Sequence, residues 1–70
     1  MDWMEAVALL KELGDRALVQ SFMVDIEHRT PDNHQLRIRG NYNRQDIEVF
    51  LKNRGFSYEE NKDYLIIFKS

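Results

Sequence analysis

The chain of 70 residues is long enough for one small domain, and we expect a single domain over residues 1–70. Because the sequence has no cysteine, disulfides and thiolate metal sites are excluded, and a reducing compartment is expected. The net charge of −2 lacks the basic excess that is typical of nucleic-acid-binding domains. No apolar run approaches the roughly 20 residues of a membrane span, and the acidic start lacks the basic segment of a signal peptide. We therefore expect a soluble cytoplasmic protein.

A first helix is predicted from Asp2 to Leu13. Five apolar side chains recur at the spacing of one helical face: Trp3, Ala6, Val7, Leu10 and Leu13. Since an apolar residue at helical period is usually buried, we expect this face, Trp3 included, to pack in the core. Asp2 is the expected N-cap, Glu5 completes a capping box, and Gly14 is expected to end the helix.

A β-hairpin is predicted to follow the helix. Residues of alternating polarity run from Leu18 to Glu27 and again from Leu36 to Tyr42, which is typical of half-buried strands. In both strands the even-numbered residues are expected to face the core. The segment between them contains the turn-forming residues Pro31 to Asn33.

The register of this hairpin can be argued from the sequence. Directly opposed residues share a face, so the numbers of paired residues must sum to an even value. A three-residue loop from Pro31 to Asn33 then places Thr30 opposite His34. This register also brings opposite charges together in two cross-strand pairs: Glu27 with Arg37 and Asp25 with Arg39. Agreement between polarity, turn chemistry and charge favours this register.

The second half of the chain repeats the pattern of one helix and two strands. A helix is predicted from Arg44 to Arg54, with Asn43 as N-cap and Gly55 at its end. Two short strands are predicted over residues 56–60 and 64–69, joined by a turn at 61–63. The order α-β-β-α-β-β predicts an α+β fold, in which a four-stranded antiparallel sheet carries both helices on one face.

The opposite face of this sheet is predicted to be partly apolar. Two helices cover only one face of four strands, and the last strand, "YLIIF", is apolar on both of its sides. The outward apolar residues are predicted to form a protein interface: Val19, Met23, Tyr64, Ile66 and Phe68. A partner chain, most simply a second copy in a twofold dimer, is expected to cover them. The alternative is shielding by long neighbouring side chains.

The middle of the chain is mildly basic and suggests a second kind of partner. Four residues are candidates for nucleic-acid contacts: Arg37, Arg39, Arg44 and Lys52. The competing interpretation is that Arg37 and Arg39 pair with acidic residues of the preceding strand, which removes the positive field that phosphate binding needs. Tyr42, a candidate stacking residue, has the parity of the core face.

Signals for catalysis or metal binding are weak. His28, Asp32 and His34 flank the predicted turn, but their spacing matches no established zinc pattern and a fourth ligand is missing. No serine lies in a nucleophile motif, and no glycine-rich phosphate loop occurs. Glu59 and Glu60 are adjacent in a strand, so they point to opposite faces. We expect no metal, no cofactor and no enzymatic activity.

The sequence therefore predicts a small protein-interaction or regulatory module, homodimeric and binding through an open sheet face. The alternative is an accessory protein that binds nucleic acid through its basic middle segment. The two hypotheses differ in whether the arginines are free or neutralised by Asp25 and Glu27.

Overall fold

The chain forms two helices and four strands in the predicted α-β-β-α-β-β order. A computed structural model describes residues 1–20, 23–30, 33–40 and 42–69. The elements are α1 (Trp3–Asp15), β1 (Val24–Thr30), β2 (Asn33–Arg39), α2 (Arg44–Arg54), β3 (Ser57–Glu60) and β4 (Tyr64–Phe68). The fold is α+β, as predicted. Within the described ranges, neither helix is long and apolar enough to cross a membrane.

The four strands form one antiparallel sheet in the order β1-β2-β4-β3. Each αββ unit places its first strand at an edge of the sheet and its second strand at the centre. β4 is therefore flanked by β2 on one side and by β3 on the other. A central position explains its apolar composition, because strands in the middle of a sheet are shielded more than edge strands are.

The register of the first hairpin differs from the prediction by two residues. His28, not Thr30, lies opposite His34, and Thr30 pairs with Asn33 after a local irregularity. The loop was predicted to include Asn33, but Asn33 belongs to β2, which leaves fewer residues to connect the strands. Pro31 and Asp32, the rest of the predicted loop, lie outside the described residues. A shift of two residues preserves the face of every side chain, so the predicted core-facing parity is correct.

The first strand begins later than its alternating pattern predicts. Leu18, Val19 and Gln20 are not in a strand, and β1 starts at Val24. Val19 was predicted to point outward, but its side chain is buried with the core. The end of α1 explains this difference, because the chain reverses there and turns Leu18 and Val19 toward the core, while Gln20 stays exposed.

That reversal occurs at Ala17 and not at Gly14. Ala17 has a positive φ of 57°, and its N–H donates to the carbonyl of Gly14 at 3.0 Å. The N–H of Leu18 donates to the carbonyl of Leu13 at 3.0 Å, which completes a Schellman-type helix end. The predicted stop at Gly14 was wrong, since α1 continues to Asp15.

The ends of α2 agree with the sequence. Asn43 accepts a hydrogen bond from the N–H of Asp46 at 3.1 Å, as an N-cap does. Gly55 has a φ of 77°, and the N–H of Phe56 donates to the carbonyl of Leu51 at 3.0 Å. At the start of α1 the predicted capping box is also present, with reciprocal hydrogen bonds between Asp2 and Glu5.

The core lies between the two helices and one face of the sheet. α1 contributes Ala6, Leu9 and Leu13, and α2 contributes Ile47, Phe50 and Leu51. The fully buried strand residues are Leu36, Ile38, Leu65 and Ile67. Because the register places these four side chains on the same face, both helices pack on that face, as predicted.

Contacts between the helices and with the end of the chain close this layer. Arg54 of α2 pairs with Glu12 of α1, and its guanidinium lies 5.0 Å from the centre of the Phe50 ring. Lys69, just after β4, reaches Glu5 of α1 at 2.8 Å. Both ion pairs use the flank of α1 that carries Glu5 and Glu12.

Candidate interaction surface on the open sheet face

The second face of the sheet, called the open face below, is not covered by either helix. Among the described residues, strand alternation and the observed pairing place these side chains on it: Asp25, Glu27, Gln35, Arg37, Arg39, Ser57, Glu59, Tyr64, Ile66 and Phe68. The charged residues lie mainly on β1 and β2. The apolar residues lie on β4, which is central in the sheet.

The apolar part of the open face is a strip along β4. Tyr64, Ile66 and Phe68 are half-buried there, while Leu65 and Ile67 between them are fully buried on the helix side. This alternation explains why "YLIIF" is apolar on both sides. The strip contains three of the five predicted interface residues, and these three follow one another along β4.

Neighbouring side chains cover part of this strip. Arg37 lies next to Ile66 in the adjacent strand, and its guanidinium is 5.4 Å from the centre of the Tyr64 ring. Glu59 of the edge strand β3 is opposite Ile66 on the other side. Shielding by neighbouring side chains is the predicted alternative to a partner chain. The shielding is incomplete, because all three apolar side chains of the strip remain partly exposed.

Two cross-strand ion pairs border the strip. A guanidinium nitrogen of Arg37 is 2.9 Å from a carboxylate oxygen of Glu27, and Arg39 is 2.9 Å from Asp25. Both predicted pairs form, although in the observed register their members are diagonal neighbours and not directly opposed. Long side chains span a diagonal readily. Gln35, which is opposite Glu27, donates to its carboxylate at 2.9 Å.

The other two candidate cations lie elsewhere. Arg44 begins α2 and contacts both Glu48 and Glu60 at 2.9 Å. The hydrogen bond to Glu48, followed by the charge of Glu60, raises the pKa of Arg44 above its ordinary value. Lys52 is exposed on α2, which packs on the opposite face of the sheet from Arg37 and Arg39. The structure therefore does not bring the four candidate nucleic-acid contacts together on one surface.

Tyr42 is not available as a stacking platform. Its ring packs against the hydrophobic core on the helix side, in agreement with its predicted parity. Burial is the main cause that raises the pKa of the Tyr42 hydroxyl, and the neighbouring charge of Glu60 adds to it. The aromatic side chain thus supports the fold and does not extend the open face.

The predicted interface residues near the start of β1 are placed differently. Val19 is in the core and cannot contribute to the open face. Met23 is half-buried, and the end of its side chain occupies the space beside Gly40, where a Cβ would clash with it. Met23 therefore packs at the margin of the sheet, beyond the apolar strip.

The two histidines contact each other. The rings of His28 and His34 are stacked with their centroids 5.0 Å apart, and Trp3 lies edge-on to His34 at 5.7 Å. Within the described residues, no group of three or more His, Cys, Asp or Glu side chains is placed to hold a metal ion. Asp32, the carboxylate considered with these histidines, lies outside that part of the chain.

A groove of about 1240 Å³ beside α1 was not anticipated from the sequence. Its described lining is mostly apolar or amide, and its ionisable side chains are Lys11, Asp15 and Tyr42. No serine or histidine is among these lining residues, so they offer no nucleophile with an adjacent base. The composition of α1 is a signal of this groove, because more of the helix is apolar than one sheet face can cover.

Trp3 is the clearest correction among the aromatic residues. It was predicted to be in the core, but its side chain is 54% exposed. The buried side of α1 is formed by Ala6, Leu9 and Leu13, which leaves Trp3 at the margin of the core, where its ring meets His34.

Comparison of the chain with protein-family models, with curated proteins and with solved structures gives no significant match.

Proposed function

We propose that this chain is a small protein-interaction module whose open face binds a partner protein. The observation that carries the proposal is the apolar strip of Tyr64, Ile66 and Phe68 on a sheet face that no helix covers. Apolar and aromatic side chains at the centre of a surface, with polar groups around them, resemble the organisation of protein interfaces. The module is proposed to act in the cytoplasm and without catalysis of its own.

The state of the arginines favours a protein over a nucleic acid as the partner. Arg37, Arg39 and Arg44 are each within 2.9 Å of a carboxylate. Nucleic-acid binding depends on uncompensated positive charge, whereas a protein interface tolerates charges that are already paired. The ion pairs at the border of the strip would restrict binding to partner proteins whose own polar groups are complementary to these charges.

The sequence favours a second copy as the simplest cover for the open face. In such a twofold dimer, the strip of one copy would lie against the strip of the other. Such a partner needs an apolar centre to meet Ile66 and Phe68, and a polar rim to meet the ion pairs.

The test uses substitutions that make the strip charged. Ile66→Asp and Phe68→Asp should abolish partner binding, while Val49→Asp serves as the matched control because Val49 is 55% exposed on α2, away from the strip. Circular dichroism and urea unfolding first establish that each variant is folded. If the strip variants unfold, these side chains are structural and the interface proposal fails.

Binding is then measured on the folded full-length chain. A photo-crosslinking residue at position 66 should capture a protein from the cells that make this chain, and the same residue at position 49 should not. The captured protein must bind the wild-type chain and Val49→Asp when purified, and must not bind Ile66→Asp. Equal binding to both variants would refute the proposed surface. Salt-sensitive binding of single-stranded or duplex nucleic acid by the wild-type chain would favour the alternative partner.

A further inference from the structure

The apolar strip on β4 has opposite charges on its two sides. Ile66 is the middle residue of the strip, and the strand pairing places Arg37 of β2 on one side of it and Glu59 of β3 on the other. Arg39 follows on the β2 side, next to Tyr64. All of these side chains lie on the open face. The strip therefore has a positive side and a negative side.

Both of the charges beside Ile66 can accept a further partner. Glu59 is exposed and makes no ion pair with the described residues. One terminal nitrogen of Arg37 contacts Glu27, and its Nε has no hydrogen-bond partner in the described part of the chain. A guanidinium carries five N–H donors, so a second carboxylate can bind beside the first. The two charges each lie about one strand spacing, about 4.8 Å, from β4.

A twofold rotation exchanges the two sides of the strip. If its axis runs parallel to β4, between two sheets that face each other, β4 of one copy lies over β4 of the other. The same rotation places β2 of each copy over β3 of the other. Arg37 then faces Glu59 of the second copy, and Glu59 faces Arg37. Because a twofold contact is isologous, this ion pair forms twice.

The charges distinguish this axis from its alternative. Two sheets also meet face to face, with β4 over β4, about an axis that lies between them and perpendicular to β4. That axis places β2 over β2 and β3 over β3, so Arg37 meets Arg37 and Glu59 meets Glu59. Like charges that meet across an interface oppose association. Of the two axes, the one parallel to β4 therefore fits the observed charges.

The apolar side chains also match about the parallel axis. Each residue of the strip meets its own counterpart, so Ile66 packs on Ile66 and the rings of Tyr64 and Phe68 lie near their copies. Side chains between two packed sheets fill a layer about 10 Å thick, and aromatic pairs contribute beyond their buried area. Strands of packed sheets cross at about 30°, so the overlap is best at the midpoint of β4. Ile66 and the two ion pairs are at this midpoint.

The most polar strand of the open face stays at the rim of this contact. β2, β4 and β3 of one copy are matched by β3, β4 and β2 of the other, which leaves β1 beyond the edge of the partner sheet. β1 carries Asp25 and Glu27, which are already paired with Arg39 and Arg37. An apolar centre with a charged rim is the usual organisation of a protein interface.

We infer that the partner of the open face is a second copy of this chain, bound strip to strip about a twofold axis parallel to β4. The inference rests on the proposed function, because it names the partner of the same surface. The dimer has four layers, with the two sheets inside and the helices of each copy outside. Tyr64, Ile66 and Phe68 of both copies become buried between the sheets.

Sedimentation equilibrium of the full chain from micromolar to submillimolar concentration tests the inference. The wild-type chain should approach twice its mass of 8.4 kDa. Ile66→Asp should sediment as a monomer, because the axis would bring two carboxylates together at the apolar centre of the contact. Val49→Asp, an equivalent change on α2, should remain dimeric.

The orientation is tested by neutralising Glu59. Glu59→Gln should raise the dissociation constant of the dimer about two- to tenfold, since exposed ion pairs contribute little each and two are lost. Asp15→Asn, which removes an exposed carboxylate from α1, should leave the dissociation constant unchanged. A tighter dimer in Glu59→Gln would overturn the inferred orientation, because that result is expected of the axis that places Glu59 against Glu59.

Mixed dimers test the ion pairs directly. Glu59→Lys and Arg37→Glu, each shown to be folded by circular dichroism, should dimerise less than the wild-type chain, because both contacts then join like charges. An equimolar mixture of the two variants should recover dimers. In the mixed dimer the new lysine faces the new glutamate, and the natural pair remains on the other side. A mixture that associates no better than either variant would contradict the pairing.

The remaining outcome separates this inference from the proposed function. A wild-type chain that stays at 8.4 kDa over the whole concentration range would overturn the inference. The photo-crosslinking residue at position 66 then decides whether the proposed function fails as well. Capture of a different protein that binds the wild-type chain and not Ile66→Asp would leave the proposed function standing. Absence of any captured protein would refute both.

Discussion

The guanidinium of Arg37 is 2.9 Å from the carboxylate of Glu27, although the residue directly opposite Glu27 is Gln35. The contact is therefore diagonal across the β1–β2 ladder. Gln35 completes it by donating to the second carboxylate oxygen of Glu27 at 2.9 Å. Polar side chains at this border of the open face are thus held in place by one another, and the guanidinium is positioned over Tyr64.

We expect a small but measurable coupling between Arg37 and Glu27. The double-mutant cycle Arg37→Gln and Glu27→Gln should give a coupling free energy of about 0.2–1 kcal/mol, since both side chains are partly exposed. Urea unfolding at low and high salt measures it, and the coupling should decrease with salt. A coupling of zero at low salt would show that the pair is not formed in solution.

The sequence was sufficient for those parts of the fold that depend on local chemistry. Asn43 and Gly55 mark the ends of α2, and the alternation of polarity assigns the correct face to the paired residues of β1 and β2. The sequence also predicted the correct partners in both cross-strand ion pairs. The error of two residues in the register did not matter here, because these long side chains reach the same partner across a diagonal. For the open face, the strip on β4 followed from its apolar composition on both sides.

Features that depend on packing between distant segments could not be predicted. The order of the strands depends on how the two hairpins meet, for which no local signal exists. Trp3 and Val7 have the same helical spacing as core residues, and only the position of the sheet decides which side of α1 is buried. The start of β1 was predicted too early because Ala17 ends the preceding helix in a conformation that glycine or asparagine usually adopts.

The two sides of α1 should respond differently to truncation. Leu9→Ala should lower the free energy of unfolding by about 2–5 kcal/mol, because Leu9 is buried in the core. Val7→Ala should change it by less than about 1 kcal/mol, since Val7 is exposed and alanine favours helix. Urea unfolding at a concentration where the chain is monomeric measures both. Equal losses would contradict the observed orientation of α1.

Two glycines should respond to alanine in opposite directions. Gly40→Ala should destabilise the fold by about 1–2 kcal/mol or more, because its φ is 87° and the new Cβ meets the side chain of Met23. Gly14→Ala should stabilise it by up to about 1 kcal/mol, since Gly14 is within α1 and the Cβ has open space. Thermal unfolding of the monomeric chain compares them. A stabilising Gly40→Ala would contradict the conformation at the end of β2.

Acid should weaken the attachment of the chain end to α1. The hydrogen bond from Lys69, followed by the backbone N–H bond at the helix cap, lowers the pKa of Glu5 below its ordinary value of 4.5. A carboxyl group with a lowered pKa stabilises the folded state above the unfolded pKa and loses this effect as pH falls through the folded pKa. Glu5→Gln should therefore be less stable than the wild-type chain near neutral pH, and the difference should shrink as the pH falls below 4.5 and vanish below the lowered pKa of Glu5 in the folded state.

Urea unfolding across this pH range measures the effect. Lys69→Met should remove most of the same pH dependence, since Lys69 is its main cause. Asp15→Asn is the control, because Asp15 is exposed on the same helix and makes no ion pair among the described residues. A Glu5→Gln variant whose deficit persists unchanged at low pH would show that the lost interaction is not ionic.

We propose that the apolar strip on β4 binds another protein and is not needed to stabilise the fold. The most direct measurement is the affinity of the photo-captured partner for Ile66→Asp relative to Val49→Asp, with both variants shown to be folded. We expect Val49→Asp to bind like the wild-type chain and Ile66→Asp to lose binding. Equal affinities of the two folded variants, or unfolding of Ile66→Asp, would contradict the claim.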